Sequence, residues 1–397
     1  MPRWEFVTLM AALIALNALA IDTMLPALGL IGDYFSIKNE NSQQLVVISY
    51  VLGFGAPQLI FGPLTDRYGR VGMLKFCIIG FIVGSFACML APTFWALLLI
   101  RFLQGVVASG IRVVAVSIVR DLLSGRGMAR VMSLIMTVFM IVPIIAPALG
   151  QSVMGFSWRW TFGILVLLGA FVLLWVWIRL PETLPVEKRR SINLATFLGT
   201  YKTVLSNRTA AGYMAASGVI YGSLFAFISA SEQVFRQVFG LADVFALVFG
   251  GVAATMAVAS FTNSRLVERF GMRRISHGAL LCFILFSGLN VALAILIGEK
   301  FFLFYPCFVL TFACFGMLGA NFNALAMEPH GDNIGAASAA YGFATTTVAS
   351  LFGWAVGQTY NGTVVPLLWG FVLLGIGSLL IVLITEKGRL FEIGQNR

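Results

Sequence analysis

Twelve successive stretches of this chain are apolar for about twenty residues each, the length an α-helix needs to cross the hydrocarbon core of a bilayer. They lie near 6–30, 42–62, 73–91, 94–118, 130–152, 159–180, 208–231, 242–262, 275–297, 301–326, 334–358 and 363–385. Only 11% of the 397 residues are charged and 59% are hydrophobic, whereas a soluble domain carries roughly 25% charged residues. The pattern therefore predicts an all-α membrane protein of twelve transmembrane helices. The first stretch carries Arg3 and Ala18-Leu19-Ala20, which superficially look like a cleavable leader. Its apolar run continues through Leu30, so an uncleaved first span is expected.

The net charge of +10 would suggest nucleic acid in a soluble protein, but its distribution follows the membrane. With the N-terminus placed in the cytoplasm, twenty of the 26 Lys and Arg fall on the cytoplasmic side. Four fall outside (Lys38, Arg159, Arg236, Lys300) and two inside the bilayer (Arg101, Arg112). Cytoplasmic loops carry just such an excess of Lys and Arg, so both termini are expected in the cytoplasm and no nucleic-acid partner is expected. The five cysteines sit singly in apolar spans and read as small core residues. His277 and His330 lie near cytoplasmic span ends without forming a cluster. No metal, cofactor or Walker loop is expected, and nothing suggests an enzyme.

Within the first span, Asp22 is the only one of the sixteen acidic residues near a span centre. A carboxylate there costs about 2.5 kcal/mol or more. Pro26 has no N–H to bond the carbonyl four residues earlier, that of Asp22. An ionisable group beside a free backbone acceptor is what a proton-coupled carrier needs, because desolvation raises a carboxyl pKa and a nearby cation lowers it. The alternative is a structural polar group, hydrogen-bonded in a helix interface.

Most connections are short, but Pro181 to Arg208 is long, polar and basic. It divides the chain into an N-terminal six-helix bundle (1–180), a cytoplasmic linker (181–207) and a C-terminal six-helix bundle (208–397). The acid-Arg-aromatic-Gly sequence Asp66-Arg67-Tyr68-Gly69, between spans 2 and 3, recurs as Glu268-Arg269-Phe270-Gly271 between spans 8 and 9, 202 residues on. That repeat argues for internal duplication.

Gly62-Pro63-Leu64-Thr65-Asp66-Arg67-Tyr68-Gly69-Arg70 resembles the signature loop of the major facilitator superfamily. Ile21-Asp22-Thr23-Met24-Leu25-Pro26-Ala27-Leu28 is similar to the first-helix motif of drug:proton antiporters, and Arg101-Phe102-Leu103-Gln104-Gly105 to their fourth-helix motif. Arg120-Asp121, Pro143 and Pro147, Trp158-Arg159 and Pro181-Glu182-Thr183-Leu184 narrow the resemblance to the Bcr/CflA branch, which includes bicyclomycin and phenicol exporters. The likeness covers 20–185; the second half carries only the degenerate repeat.

The resemblance implies a fold of two pseudo-symmetric six-helix bundles and a set of roles. Arg101 would lie in the substrate cavity, where it tunes the acidic site and contacts cargo; the alternative is an ion pair that only locks helices. Gln104 shares its face. Arg112, three turns on, is either a second cavity cation or a side chain that snorkels to the cytoplasm. Two arginines against one aspartate disfavour permanently charged cations as cargo and favour neutral or zwitterionic amphiphiles. Glu232, at the outer end of span 7, is expected to be solvated. Tyr50, Tyr221, Phe225, Asn321, Asn323, Tyr341 and Thr345-Thr346-Thr347 are candidate cavity linings because they add polar handles to apolar spans.

Gly62, Asp66, Arg67, Gly69 and Arg70 would form a conformational latch, Asp66 facing a helix N-terminus in the other half, with Glu268 and Arg269 as a weaker copy. The alternative is a plain anchoring loop. Pro143 and Pro147, with Gly150, are expected to interrupt span 5, the helix that marks antiporters. The sequence thus predicts a monomeric, proton-coupled exporter of small drugs in a bacterial cytoplasmic membrane. An exporter of an endogenous sugar or amino-acid-type metabolite, and a non-transporting membrane sensor, stand as alternatives.

Overall fold

The structure, a computed structural model, describes residues 1–123, 125–189, 194–330 and 334–392. Arg190, Arg397 and part of the predicted linker lie outside these residues. The chain divides into two compact units, Met1–Phe197 and Leu198–Arg397.

The first unit is built of α1 (Arg3–Asp22), α2 (Leu28–Tyr34), α3 (Leu45–Gly55), α4 (Gln58–Tyr68), α5 (Arg70–Met89), α6 (Phe94–Leu122), α7 (Gly125–Val153) and α8 (Trp160–Arg179). After α9 (Leu194–Ser206), which lies in the predicted linker, the second unit continues with α10 (Arg208–Gln233), α11 (Phe245–Phe270), α12 (Met272–Leu296), α13 (Phe301–Met327), α14 (Ile334–Phe343), α15 (Ala349–Gly357) and α16 (Val365–Thr385). Each of the twelve apolar stretches has a helical counterpart. Among the described residues, nine helices are long and apolar enough to cross a membrane, ten if α3 and α4 count as one span bent by 47°. The bend falls at Pro57, which offers no N–H to the carbonyl of Gly53.

The faces of these helices follow from the solvent around them. On α5, Phe76, Ile79, Val83 and Phe86 form an exposed apolar stripe, while Leu74, Cys77, Ile78, Phe81 and Ser85 are buried against neighbours. Leucine gains nothing by leaving lipid, so such helices are held by close packing and internal polar bonds, and small residues mark their contacts. A Cβ on Gly53 would overlap the Phe102 carbonyl, and one on Gly105 the Tyr50 carbonyl, so these two glycines let α3 and α6 touch backbone to backbone. Cys282 is exposed, unlike Cys77, Cys88 and Cys314, so the expectation that the cysteines are core residues does not hold for it.

Two expectations about helix ends are corrected. The signature segment is no loop: α4 runs through Tyr68 and α11 through Phe270, and each turn into the next helix is made at one glycine. Gly69 has φ 92° and ψ 158°, Gly271 φ 82° and ψ 155°, a backbone region closed to side chains with a Cβ. The repeat is thus one of turn geometry as well as sequence. Span 5 is not interrupted either: α7 is continuous through Pro143 and Pro147. The two prolines are four residues apart, so Pro147 withholds its N–H from the carbonyl of Pro143. Neighbouring helices make such a loss tolerable inside a membrane bundle. The breaks appear elsewhere: π-helical turns cover Val234–Val238 and Ala344–Val348, the second holding the Thr345–Thr347 run.

Candidate functional site

The first helix ends at Asp22. The Thr23 N–H closes the last α-turn on the Leu19 carbonyl at 3.1 Å, and Leu25–Ala27 forms a 3-10 turn closed by Ala27 N–H on Met24 O at 2.9 Å. Pro26, buried within that turn, is the reason α1 does not continue. Asp22 is 4% exposed. Among the described residues no cation lies within ion-pair distance of its carboxyl, and no side-chain hydrogen bond holds it. Gly150 of α7 faces this break: a Cβ there would overlap the Thr23 carbonyl oxygen and lie 3.3 Å from Pro26 Cγ. Below it Ala15, Ala18, Val142 and Ala146 seal α1 against α7. The first-helix motif and the proline-rich helix therefore meet at Thr23 and Pro26, directly after Asp22.

Arg101 is fully buried on α6, and all its partners are neutral oxygens. Its Nη2 donates to Ala20 O of α1 at 3.0 Å, Nε to Val46 O of α3 at 3.2 Å and Nη1 to Gln104 Oε1 at 2.7 Å. The Tyr50 ring lies 4.3 Å from the guanidinium carbon. Gln104 Nε2 donates onward to Ser85 Oγ on α5 at 2.6 Å. Tyr50 Oη donates to Asn17 Oδ1 at 3.4 Å, and the buried Asn17 Nδ2 has no partner. One guanidinium thus ties three helices and ends two residues before Asp22 without reaching its carboxylate. A lysine cannot reproduce this fork. Arg101→Lys is expected to cost on the order of 2–3 kcal/mol, since charged hydrogen bonds contribute about 1.5–3 kcal/mol each; unfolding of the purified protein in detergent measures it. Arg112, half-buried, lies with its guanidinium carbon 5.8 Å from the Phe54 ring centre.

At the opposite end of α4, Arg70 pairs with Asp66 at 2.6 Å and with Asp121, the last acid of α6, at 2.9 Å. The N-terminus of α5 is capped by Glu182: its oxygens accept from Arg70 N at 2.9 Å and Val71 N at 3.1 Å. Glu182 thus places a carboxylate at a helix N-terminus of its own unit, as the dipole favours. Burial raises the Glu182 pKa, and the N–H groups of Leu184, Arg70, Val71 and Thr183 more than offset this, leaving it below the ordinary value. Arg67 is exposed beside Tyr68, and Gly62 is half-buried with open space where a Cβ would stand.

The second unit repeats the theme with other residues. Arg273 at the start of α12 pairs with Glu328 after α13 at 3.3 Å and with Glu386 after α16 at 2.9 Å. Glu268, expected in the weaker latch, is exposed and takes no part in that pair; Arg269 lies beside Phe270 as Arg67 does beside Tyr68.

Glu182→Gln removes the charge and keeps the shape. Helix caps contribute about 0.5–2 kcal/mol, so a loss of about 1 kcal/mol is expected near neutral pH. Because the folded carboxyl titrates below its unfolded value, its contribution is complete above the ordinary glutamate range and disappears as pH falls through the lower folded value. Melting curves of both proteins should converge in acid; a gap independent of pH would contradict the capping role.

Among the remaining candidates of the second unit, Tyr221 and Tyr341 meet at Gly319: a Cβ there would stand 2.6 Å from Tyr221 Oη, and Tyr341 bonds its carbonyl. Asn321 is buried and donates to Asn263 Oδ1 at 2.8 Å, whereas Asn323, two residues on, is exposed. Tyr341 receives Ser217 Oγ at 3.2 Å and donates to Gly319 O at 3.3 Å. The Tyr221 ring lies 4.8 Å from that of Phe315, and Phe225 packs under Gly353. Glu232 is not solvated: it is 3% exposed and paired with Arg236 across the π-helical turn. Asn17, Asn263 and Ser217 were readable as polar residues inside apolar spans, while Glu182 had no such signal beyond its place in the Pro181–Leu184 motif.

The Major Facilitator Superfamily family model matches residues 10–354. The chain belongs to the major facilitator superfamily. It is 32% identical over 405 residues to the uncharacterized MFS-type transporter YdgK of Bacillus subtilis, covering 99% of this chain and 98% of the relative. It is 28% identical over 376 residues to the bicyclomycin resistance protein homolog of Haemophilus influenzae, covering 92% of each. The crystal structure of the D-xylose-proton symporter superposes with a TM-score of 0.75 at 14% identity over 94% of this chain and 95% of that one, a likeness of fold. The protein is a multi-pass membrane transporter of this superfamily.

Proposed function

We propose that this transporter exports small amphiphilic drugs, neutral or zwitterionic and phenicol- or bicyclomycin-like, in exchange for protons, by alternating access in a bacterial cytoplasmic membrane with both termini inside. The observation that carries the reading is Asp22: a buried carboxyl without an ion partner among the described residues, at a break in the first helix, closed over by Gly150. The name of the Haemophilus relative supports drug cargo.

In this reading ionised Asp22 helps ready the inward-open carrier for cargo. After release outside, a proton binds Asp22, neutralises it, allows return and leaves on the inner side. A potential of 100 mV contributes about 2.3 kcal/mol per charge moved, so exchange of a proton for a neutral drug is driven outward. Arg101, bonded to carbonyls on two helices, positions the backbone that carries Asp22.

Everted membrane vesicles test the proposal. An imposed proton gradient should drive uptake of chloramphenicol, and dissipating the gradient should release it. Absence of gradient-dependent uptake across a panel of phenicols and bicyclomycin would contradict drug export.

A further inference from the structure

In the second unit, one histidine is committed at both ring nitrogens. His277 on α12 is fully buried. Its Nε2 lies 3.0 Å from Tyr213 Oη of α10, and its Nδ1 lies 3.1 Å from the backbone nitrogen of Phe391, in the segment that follows α16. Tyr213 donates its single hydroxyl proton to Glu386 Oε1 at 2.7 Å. The phenol has no second proton to give, so Nε2 must carry the hydrogen of the Tyr213–His277 bond. The Phe391 N–H can only donate, so Nδ1 must accept. One neutral tautomer satisfies both contacts. The Phe391 ring meets the imidazole edge-on, with centroids 5.8 Å apart, and Arg274 Nε donates to the Phe391 carbonyl at 3.3 Å.

We propose that Nδ1 of His277 is a proton-binding site of the second unit, separate from Asp22, and that its occupation releases residues 387–392 from α12. A proton on Nδ1 would turn its lone pair into a donor facing the Phe391 N–H, and the bond that holds the segment would become a repulsion. The surroundings offer the new charge little compensation. Arg273 and Arg274 stand on the same helix, and Arg208 at the start of α10 donates to Ile384 O. Of the nearby acids, Glu386 already accepts from Arg273 and Tyr213, and Glu328 from Arg273. Glu268 and Arg269 end α11, and Lys387, Arg389 and Glu392 belong to the segment itself, where Arg389 pairs with Glu392. The proton reaches the ring when the segment lifts, and it favours the lifted state because only there is Nδ1–H free to meet water. In the orientation proposed above, this is the cytoplasmic face, so the site reads internal acidity; that assignment of side rests on the proposed topology, whereas the switch does not.

Amide hydrogen exchange on the full-length protein in detergent tests the switch. His277→Asn places an amide oxygen near the position of Nδ1 and does not titrate, so the ratio of exchange rates over 387–392, wild type to variant, cancels the intrinsic effect of pH. That ratio should be close to one at about pH 8 and rise about tenfold or more towards about pH 5, as a histidine site charges. The protection factor of the segment in wild-type protein, referenced to a free peptide of the same sequence, gives a second reading without a variant and should fall by the same factor. A ratio and a protection factor that stay flat across this range would overturn the proposal.

Discussion

Asp22→Asn is expected to abolish gradient-driven export while leaving the folded protein in the membrane. Asparagine matches the carboxyl in size and cannot exchange a proton, so packing at the α1 break is retained and coupling is lost. In everted vesicles, drug accumulation should fall to the level of vesicles lacking the protein, with expression and detergent melting behaviour close to wild type. A variant that still accumulates drug against a gradient would place the coupling proton elsewhere.

The second large effect is structural. Gly150→Ala puts a methyl group into the Thr23 carbonyl oxygen, which is backbone and cannot swing aside as a side-chain end can. Either α7 retreats or the Thr23–Ala27 turn is displaced, and with it Asp22. Overpacking costs about 1–3 kcal/mol and occasionally more; here the upper end, about 3 kcal/mol, is expected because both partners are main chain. Gly72→Ala in α5 is the control, since nothing lies within 4 Å of a Cβ built there. It should be neutral or slightly stabilising, as alanine is the better helix former. Thermal unfolding of both variants in the same detergent measures the difference. A Gly150→Ala protein as stable as the Gly72→Ala control would mean that α7 does not touch the first-helix break.

Much of this architecture is readable from the chain because lipid imposes simple rules. Helix length and apolar content are set by the bilayer, so the twelve stretches stand out, and Pro26 announces where α1 stops. The duplicated Gly69 and Gly271 are legible because a positive φ leaves glycine as the residue of choice. What stays hidden is partnership through the main chain. Arg101 reads as a buried charge in need of a carboxylate, but its partners are the carbonyls of Ala20 and Val46, which every residue possesses and no sequence marks. Glu182 caps a helix that starts 112 residues earlier, and only folding brings the two together. The continuity of α7 through two prolines, and the π-helical turns at Val234 and Ala344, depend on neighbours in the same way. Glu232 looks solvated at a span end until its pairing with Arg236 on the next turn shows otherwise.

The central claim is that cargo binds the carrier with Asp22 ionised and a proton takes its place once cargo has left, so that adding cargo shifts the Asp22 carboxyl towards its ionised form. Infrared difference spectroscopy of the purified transporter, with and without chloramphenicol, reads that event directly. The account predicts loss of a protonated-carboxyl stretch and gain of a carboxylate band on drug addition, both absent in Asp22→Asn. Drug binding with no carboxyl change, or the same bands in the Asp22→Asn protein, would contradict it.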